Sequence, residues 1–263
     1  MQRITSKDNS LVKHIKRLKE KKYRDEYGEY AVEGLKLIKE AIQENADIRH
    51  IVVCDGCDNS EMIESHLKYE MARLDFIYVP QNIFKLLSDV ENPQGVLAVI
   101  SKPNKESDIN LNEDIILALD DIQDPGNLGT ILRTADSVGL KQILVSKGTA
   151  DAYNPKVVRS TMGAIFRVNV IECENLKESL KNLQKKDYKV MTTSLKSKKT
   201  IFEVNYKKKI IVIGNEANGV SKEILNIADE KVIIPMLGKT ESLNASVATG
   251  AILYEYVRQK LQK

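Results

Sequence analysis

Apolar residues recur along the 263-residue chain with two different periods, and the change from one to the other marks its elements. Leu11, Ile15 and Leu18 stand at i, i+4 and i+7, which predicts an amphipathic helix from Ser10 to about Lys21 with a basic outer face. A second helix is expected over 35–42. Short apolar runs then predict strands at 51–54, 76–79 and 96–100, separated by helices near 61–73 and 83–90. This first part is a small α/β unit. The stretch from Ser101 to Asp108 is polar and contains Pro103, so it is expected to be a linker, dividing the chain into domains 1–105 and 106–263.

Beyond the linker the alternation becomes regular. Strands are expected at 115–119, 142–145, 166–171, 188–192, 209–213 and 231–234. Helices are expected at 128–138, 155–162 and 176–185, with one that Ser221 would cap and a last one over 244–261. Near-continuous Val, Ile and Leu strands alternating with helices imply a mostly parallel sheet covered by helices on both faces. In such sheets ligands bind at the carboxyl ends of the strands.

Composition narrows the class. With 42% hydrophobic and 29% charged residues, the chain has the balance of a globular protein. No apolar run approaches the ~20 residues that cross a bilayer, and Met1 to Lys22 lacks the apolar core of a secretory signal. A cytoplasmic location without membrane contact is expected. Three cysteines do not suggest a disulfide framework. Cys54 and Cys57, with His50 and His66 nearby, lack the spacing of a four-ligand zinc site; they are expected at a strand end and a turn, with no metal.

Charge adds a hint of a partner. Met1 to Arg24 carries an excess of +7, and Lys196, Lys198, Lys199, Lys207, Lys208 and Lys209 form a second basic cluster. Such clusters attract phosphate backbones, although a solvated helix face has the same pattern. Tyr23, Tyr27 and Tyr30 beside the first cluster suit stacking on unpaired bases or packing of the small domain.

Three segments follow predicted strands and are rich in glycine and polar residues: Asp124-Pro-Gly-Asn-Leu-Gly-Thr-Ile-Leu-Arg-Thr134, Gly214-Asn-Glu-Ala-Asn-Gly219, and Ile234-Pro-Met-Leu-Gly-Lys-Thr-Glu-Ser-Leu-Asn-Ala-Ser246. No G-x-G-x-x-G follows the first strand, and Val220 and Ser221 stand where a P-loop needs Lys and Ser/Thr. Dinucleotide and Walker-type phosphate binding are thereby excluded. Exposed backbone groups with few charges, a glycine for close approach at Gly214, and apolar walls from Ile234, Met236 and Leu243 suit an adenine ring and a ribose; tight turns and core packing use the same residue types.

Taken in order, the three segments resemble the signature motifs of the SpoU (TrmH) family of RNA methyltransferases, with Asp124 where that family usually has Asn. Arg159-Ser-Thr-Met-Gly-Ala-Ile-Phe166 is similar to the family's segment between the first two motifs. The likeness spans about 115–259, and Glu33-Gly34 with the preceding basic helix resembles the family's small substrate-binding domain. It implies a carboxyl-terminal trefoil knot, a homodimer, and S-adenosylmethionine as methyl donor. It also implies methylation of a ribose 2′-hydroxyl, in 23S ribosomal RNA before transfer RNA.

Carried over by residue, the resemblance gives a cofactor set of Thr193, Ser194, Gly214, Asn215, Ile234, Met236 and Leu243, and a catalytic set of Arg133, Asn127, Glu216, Ser242 and Asn244. A guanidinium is never deprotonated in proteins, so Arg133 is read as a clamp on the RNA phosphate rather than a base. Glu216 is read as orienting Arg133 or the Asn127 amide, or as bracing its loop, and Ser242 and Asn244 equally as caps of the last helix. An RNA-binding module without turnover and a base methyltransferase are the rival readings.

Overall fold

The computed structural model describes residues 2–103, 109–195 and 197–262. The chain divides into two compact units, Met1–Asn104 with Tyr153–Phe166, and Lys105–Ala152 with Arg167–Lys263. The expected division at 105/106 assigned Tyr153–Phe166 to the second part. It groups with the first because its helix packs on a strand there, with the Tyr153 and Tyr30 rings 4.8 Å apart. Of the expected linker, Ser101 closes a strand and 104–108 lie outside the described residues.

In the first unit, β1 (Gln2–Arg3), α1 (Ser10–Arg17), α2 (Lys21–Tyr27), β2 (Glu29–Glu33), α3 (Leu35–Gln43) and β3 (Ile48–Asp55) come first. Then follow α4 (Ser60–His66), β4 (Phe76–Pro80), α5 (Gln81–Leu87) and β5 (Val96–Ser101). The strands form one mixed sheet in the order β1-β4-β3-β5-β2. The single helix expected over 10–21 is two helices. Arg24, only 2% exposed, donates to the carbonyls of Leu18 and Lys19 (both 2.8 Å) and so satisfies the end of α1. Gly28 at φ 64° then ends α2. The helix expected over 61–73 stops at His66, and a 3₁₀ turn follows at Glu70–Ala72. Strand β2 was not foreseen, because its two inward residues, Tyr30 and Val32, are too few for a period. Cys54 and Cys57 do sit at a strand end and a turn, but they are joined by a disulfide; Gly56 at φ 71° turns the chain so that their Cα atoms lie 5.7 Å apart.

The second unit continues with β6 (Ile115–Asp120), α6 (Pro125–Ser137), β7 (Gln142–Ser146), β8 (Asn169–Cys173), α8 (Leu176–Gln184) and β9 (Lys189–Thr193). It ends with β10 (Lys209–Gly214), α9 (Lys222–Leu225), β11 (Glu230–Val232) and α10 (Ala245–Leu261). Helix α7 (Pro155–Thr161) is the segment that groups with the first unit. All pairings in the six-stranded sheet are parallel, in the order β11-β9-β10-β6-β7-β8. The mostly parallel sheet expected from the sequence is therefore present. Ile116, Ala118, Val190 and Val212 meet Leu180, Leu183 and Ile224 of α8 and α9 on one face. Alternate residues such as Leu117 and Ile211 are buried on the other, where α10 packs on β10 and α6.

Two boundaries moved for identifiable reasons. After α7 the chain makes a further 3₁₀ turn at Ala164–Phe166, so the strand expected at 166–171 starts at Asn169, in register with Gln142. Helix α6 starts at Pro125 rather than 128, because Asp124 is an N-cap whose carboxylate accepts the Asn127 N–H (2.7 Å) and Pro125 occupies the first helical position. Replacing Asp124 by alanine is expected to cost about 1 kcal/mol in urea unfolding, and Asp124→Asn almost nothing, because both carboxylate and amide cap well.

Candidate functional site

From β6 the chain proceeds to β7 and β8 on one side, while β10 lies on the other side of β6. The ladder therefore reverses direction between β6 and β10, and the loops leaving these two strands diverge there. Crevices of this kind are where parallel sheets hold ligands. The first glycine-rich segment opens helix α6 at the end of the loop that leaves β6, and the second is the loop that leaves β10.

Each loop is shaped by its own polar residues. Asp121, directly after β6, has φ 63°, a left-handed conformation that turns the chain sharply. Buried Asn215, directly after β10, donates to the Asp121 carbonyl (2.9 Å) and accepts the N–H groups of Ala217 and Asn218 (3.0 Å each). It thus ties the two loops together and closes the turn that ends at Gly219. Asp120 accepts the Ser221 N–H (2.7 Å) from the far end of the same loop. The Ser221 hydroxyl is buried and makes no cap on α9, contrary to expectation, since the backbone N–H and not the side chain meets Asp120.

The third segment joins them through Asn244. Its side-chain oxygen caps α10 by accepting from Ser246 and Val247 (2.9 and 3.4 Å), and its Nδ2 donates to Asn127 Oδ1 (2.9 Å). Asn127 Nδ2 in turn donates to Glu216 Oε1 (2.8 Å), while Glu216 Oε2 accepts from the Gln123 N–H (3.4 Å). Glu216 therefore orients the Asn127 amide, not Arg133, and one polar side chain per motif (two amides and a carboxylate) forms a continuous relay. Of the two residues read as caps, Asn244 is one and Ser242 is not.

Arg133 stands apart from this relay. It lies on the exposed face of α6 together with Thr130 and Ser137, and among the described residues it has no hydrogen bond or ion pair. Six residues separate it from Asn127, a rise of about 9 Å along the helix.

Beyond the carboxyl ends of β9 and β11, Thr193, Ser194, Ile234, Met236, Ser242 and Leu243 line a cavity of about 110 Å³. Ser242, expected beside Arg133, lines this cavity instead. Gly214 and Asn215 do not line it, as their loop is packed on itself. A Cβ at Gly214 would collide with the backbone of Gly219 and Val220, so the glycine serves a crossing of the chain over itself. Leu195, Val232, Ile233 and Ala248 complete the lining and were not foreseen; only the position of Ala248 one helical turn after Asn244 carried a signal, since a small residue there keeps the cavity open.

Elsewhere three lysines of the second basic cluster are engaged. Lys199 and Lys209 both pair with Glu230, and Lys208 donates to the Leu111 carbonyl (2.8 Å) and lies over the Tyr188 ring. Lys196 lies outside the described residues. Among the described residues no three His, Cys, Asp or Glu side chains gather as a metal site, and no helix is long and apolar enough to cross a membrane.

Comparison with known proteins bears on the same regions. The model of the SpoU rRNA Methylase family matches residues 114–254, and that of the MRM3-like substrate binding domain matches residues 9–98. The chain is 31% identical over 255 residues to the 23S rRNA (guanosine(2553)-2′-O)-methyltransferase of Bacillus subtilis, covering 97% of this chain and 98% of that protein. Among solved structures, the SpoU methyltransferase AviRb of Streptomyces viridochromogenes in complex with the cofactor AdoMet is 28% identical with a TM-score of 0.87, over 96% of this chain and 98% of that one. The AdoMet-bound rRNA methyltransferase of Sinorhizobium meliloti is 30% identical with a TM-score of 0.84, over 98% of both chains. With its family model matched over more than half of the sequence and all three motifs joined by one polar relay, this chain belongs to the SpoU rRNA methylase family.

Proposed function

We propose that this protein transfers the methyl group of S-adenosylmethionine to a ribose 2′-hydroxyl of 23S ribosomal RNA in the cytoplasm. The observation that carries the reading is the adjacency of an apolar cavity and a polar relay, both built from the loops at the carboxyl ends of one parallel sheet. At about 110 Å³ the cavity is smaller than the ~300 Å³ of a typical small-molecule pocket, so it suits one flat ring of a ligand, the adenine. Ile234, Met236 and Leu243 offer that ring apolar walls, while Thr193, Ser194 and Ser242 offer hydroxyl and backbone partners.

When bound, S-adenosylmethionine would supply an electrophilic methyl on a sulfonium; in-line attack by the ribose oxygen would break the methyl–sulfur bond, release S-adenosylhomocysteine and pass the hydroxyl proton to solvent. This chain's contribution is positioning and electrostatics. Asn127, held at Oδ1 by Asn244 and at Nδ2 by Glu216, retains one amide hydrogen for the ribose. Arg133, exposed and without a partner among the described residues, is free to grip the adjacent RNA phosphate in a bidentate pair. The trefoil knot stays part of this reading; in support, the late strands β10 and β11 flank β9 on both sides. The test is incubation with labelled S-adenosylmethionine and total RNA from a strain lacking the gene, followed by mapping. Label on a 23S ribose is expected; label on a base, or on transfer RNA alone, would overturn it.

The reading includes a homodimer. Val247, Tyr254 and Leu261 recur every seventh residue on α10 and are 55%, 56% and 81% exposed, an apolar stripe that the described residues leave more than half open. Tyr254 lies beside Ser137, on the α6 face that carries Arg133 (3.4 Å between hydroxyls). A second copy seated on this stripe would enclose Arg133. Tyr254→Glu is expected to convert a dimer into a monomer by light scattering while leaving the melting temperature of the monomer near that of the parent.

A further inference from the structure

The relay and the cavity leave one cluster of the first unit unused. His14 on α1 and Tyr27 on α2 lie ring to ring, 4.5 Å apart and 32° from parallel, and Tyr23 stacks on Tyr27 at 5.8 Å and 25°. Three rings thus form one column. Arg17 lies over the Tyr23 ring at 5.2 Å and donates to the Tyr27 hydroxyl (3.2 Å), and Lys22 lies over the same ring at 5.6 Å. His14 is held by Glu29, with Nε2 2.7 Å from Oε2.

The column borders an open cleft of about 620 Å³, lined by Lys13, His14, Arg17, Tyr27, Glu29 and His50 among others. Folded proteins bury aromatic rings where they can, yet Tyr23 and Tyr27 keep part of their surface and His14 is only half-buried. Among the described residues the Lys13 ammonium is engaged only by Asp8, in a pair exposed on both sides that a phosphate can displace. Arg17 is exposed, as are Lys16, Lys21 and Lys22 nearby in the chain. Rings for stacking and cations for phosphates are the two parts of a single-strand binding site. The rings do not serve a duplex, whose bases are already stacked and paired.

We propose that this cleft seats one unpaired nucleobase of the RNA, stacked on the His14–Tyr27–Tyr23 column, with the flanking phosphates on Arg17 and Lys13. The inference rests on the reading that the substrate is RNA. It adds that the substrate is presented with a base splayed out at a point held by the first unit.

The test uses the full chain without S-adenosylmethionine and a single-stranded RNA carrying one 2-aminopurine, whose fluorescence is quenched on stacking. Quenching is expected with the parent, Tyr27→Phe and His14→Phe, because all keep the rings. With Tyr27→Leu and His14→Ala the quenching is expected to vanish and the affinity to fall about 10-fold. Should Tyr27→Leu fail to fold, since Tyr27 also packs on the core, His14→Ala decides alone. Unchanged quenching in His14→Ala, or equal affinity for a duplex of the same sequence, would overturn the proposal. Quenching by a protein that binds no S-adenosylmethionine in calorimetry would sink the methyl-transfer reading and leave this seat standing; methyl transfer to RNA without quenching would do the reverse.

Discussion

Arg133→Ala is expected to lower methyl transfer by about 10²- to 10³-fold, the usual cost of removing one charge-stabilising donor from a reaction centre. Affinity for S-adenosylmethionine, measured by calorimetry, is expected to stay near that of the parent. The separation follows from geometry. Arg133 lies on the outer face of α6 and touches neither the cavity lining nor the amide relay. Losing it therefore removes a contact to RNA without disturbing the loops that hold the donor. Arg133→Lys keeps the charge but not the planar fork, so it should recover only part of the activity. A collapse of donor affinity in Arg133→Ala would show that the arginine supports the loops, and the phosphate-clamp role would then be wrong.

Gly214→Ala is expected to damage both stability and donor binding. The added Cβ would meet the backbone of Gly219 and Val220, which has no side-chain freedom with which to yield. Overpacking of this sort costs typically 1–3 kcal/mol, and more where only backbone is in the way. The loop also carries Asn215 and Glu216, so a shift at Gly214 would pull on the ties to Asp121 and Asn127. Gly219 makes the contrast. Its φ of 69° disfavours a side chain, but an added Cβ there meets nothing within 4 Å. Gly219→Ala should therefore cost about 1–2 kcal/mol, from backbone conformation alone, and leave donor affinity intact. Urea unfolding and calorimetry on the two variants separate close approach from conformational freedom.

Much of the second unit was legible in the sequence because a strand buried on both faces must be apolar along its buried length, as 115–119 and 210–213 are. The three motifs were equally legible, because their residues, taken in order, resemble the family's signature motifs. In the first unit the expectation was poorer. Two-residue β1 and the half-buried β2 are held by their neighbours rather than by their own pattern, and the break between α1 and α2 depends on where Arg24 finds carbonyls.

Within the site, the order of residues already placed each type after its strand, because local chemistry dictates turns and caps: Asp124 before Pro125, Asn244 before the last helix. What those residues face was set by packing. Asn127, Glu216 and Asn244 are separated by up to 117 residues along the chain yet share one relay, and Ser242 turns to the cavity while Arg133 turns outward. A side chain's direction depends on the packing of its whole element against the sheet, and that is a sum over contacts distant in sequence. Pattern within a window of a few residues fixes backbone shape; it does not say across which gap two amides will meet.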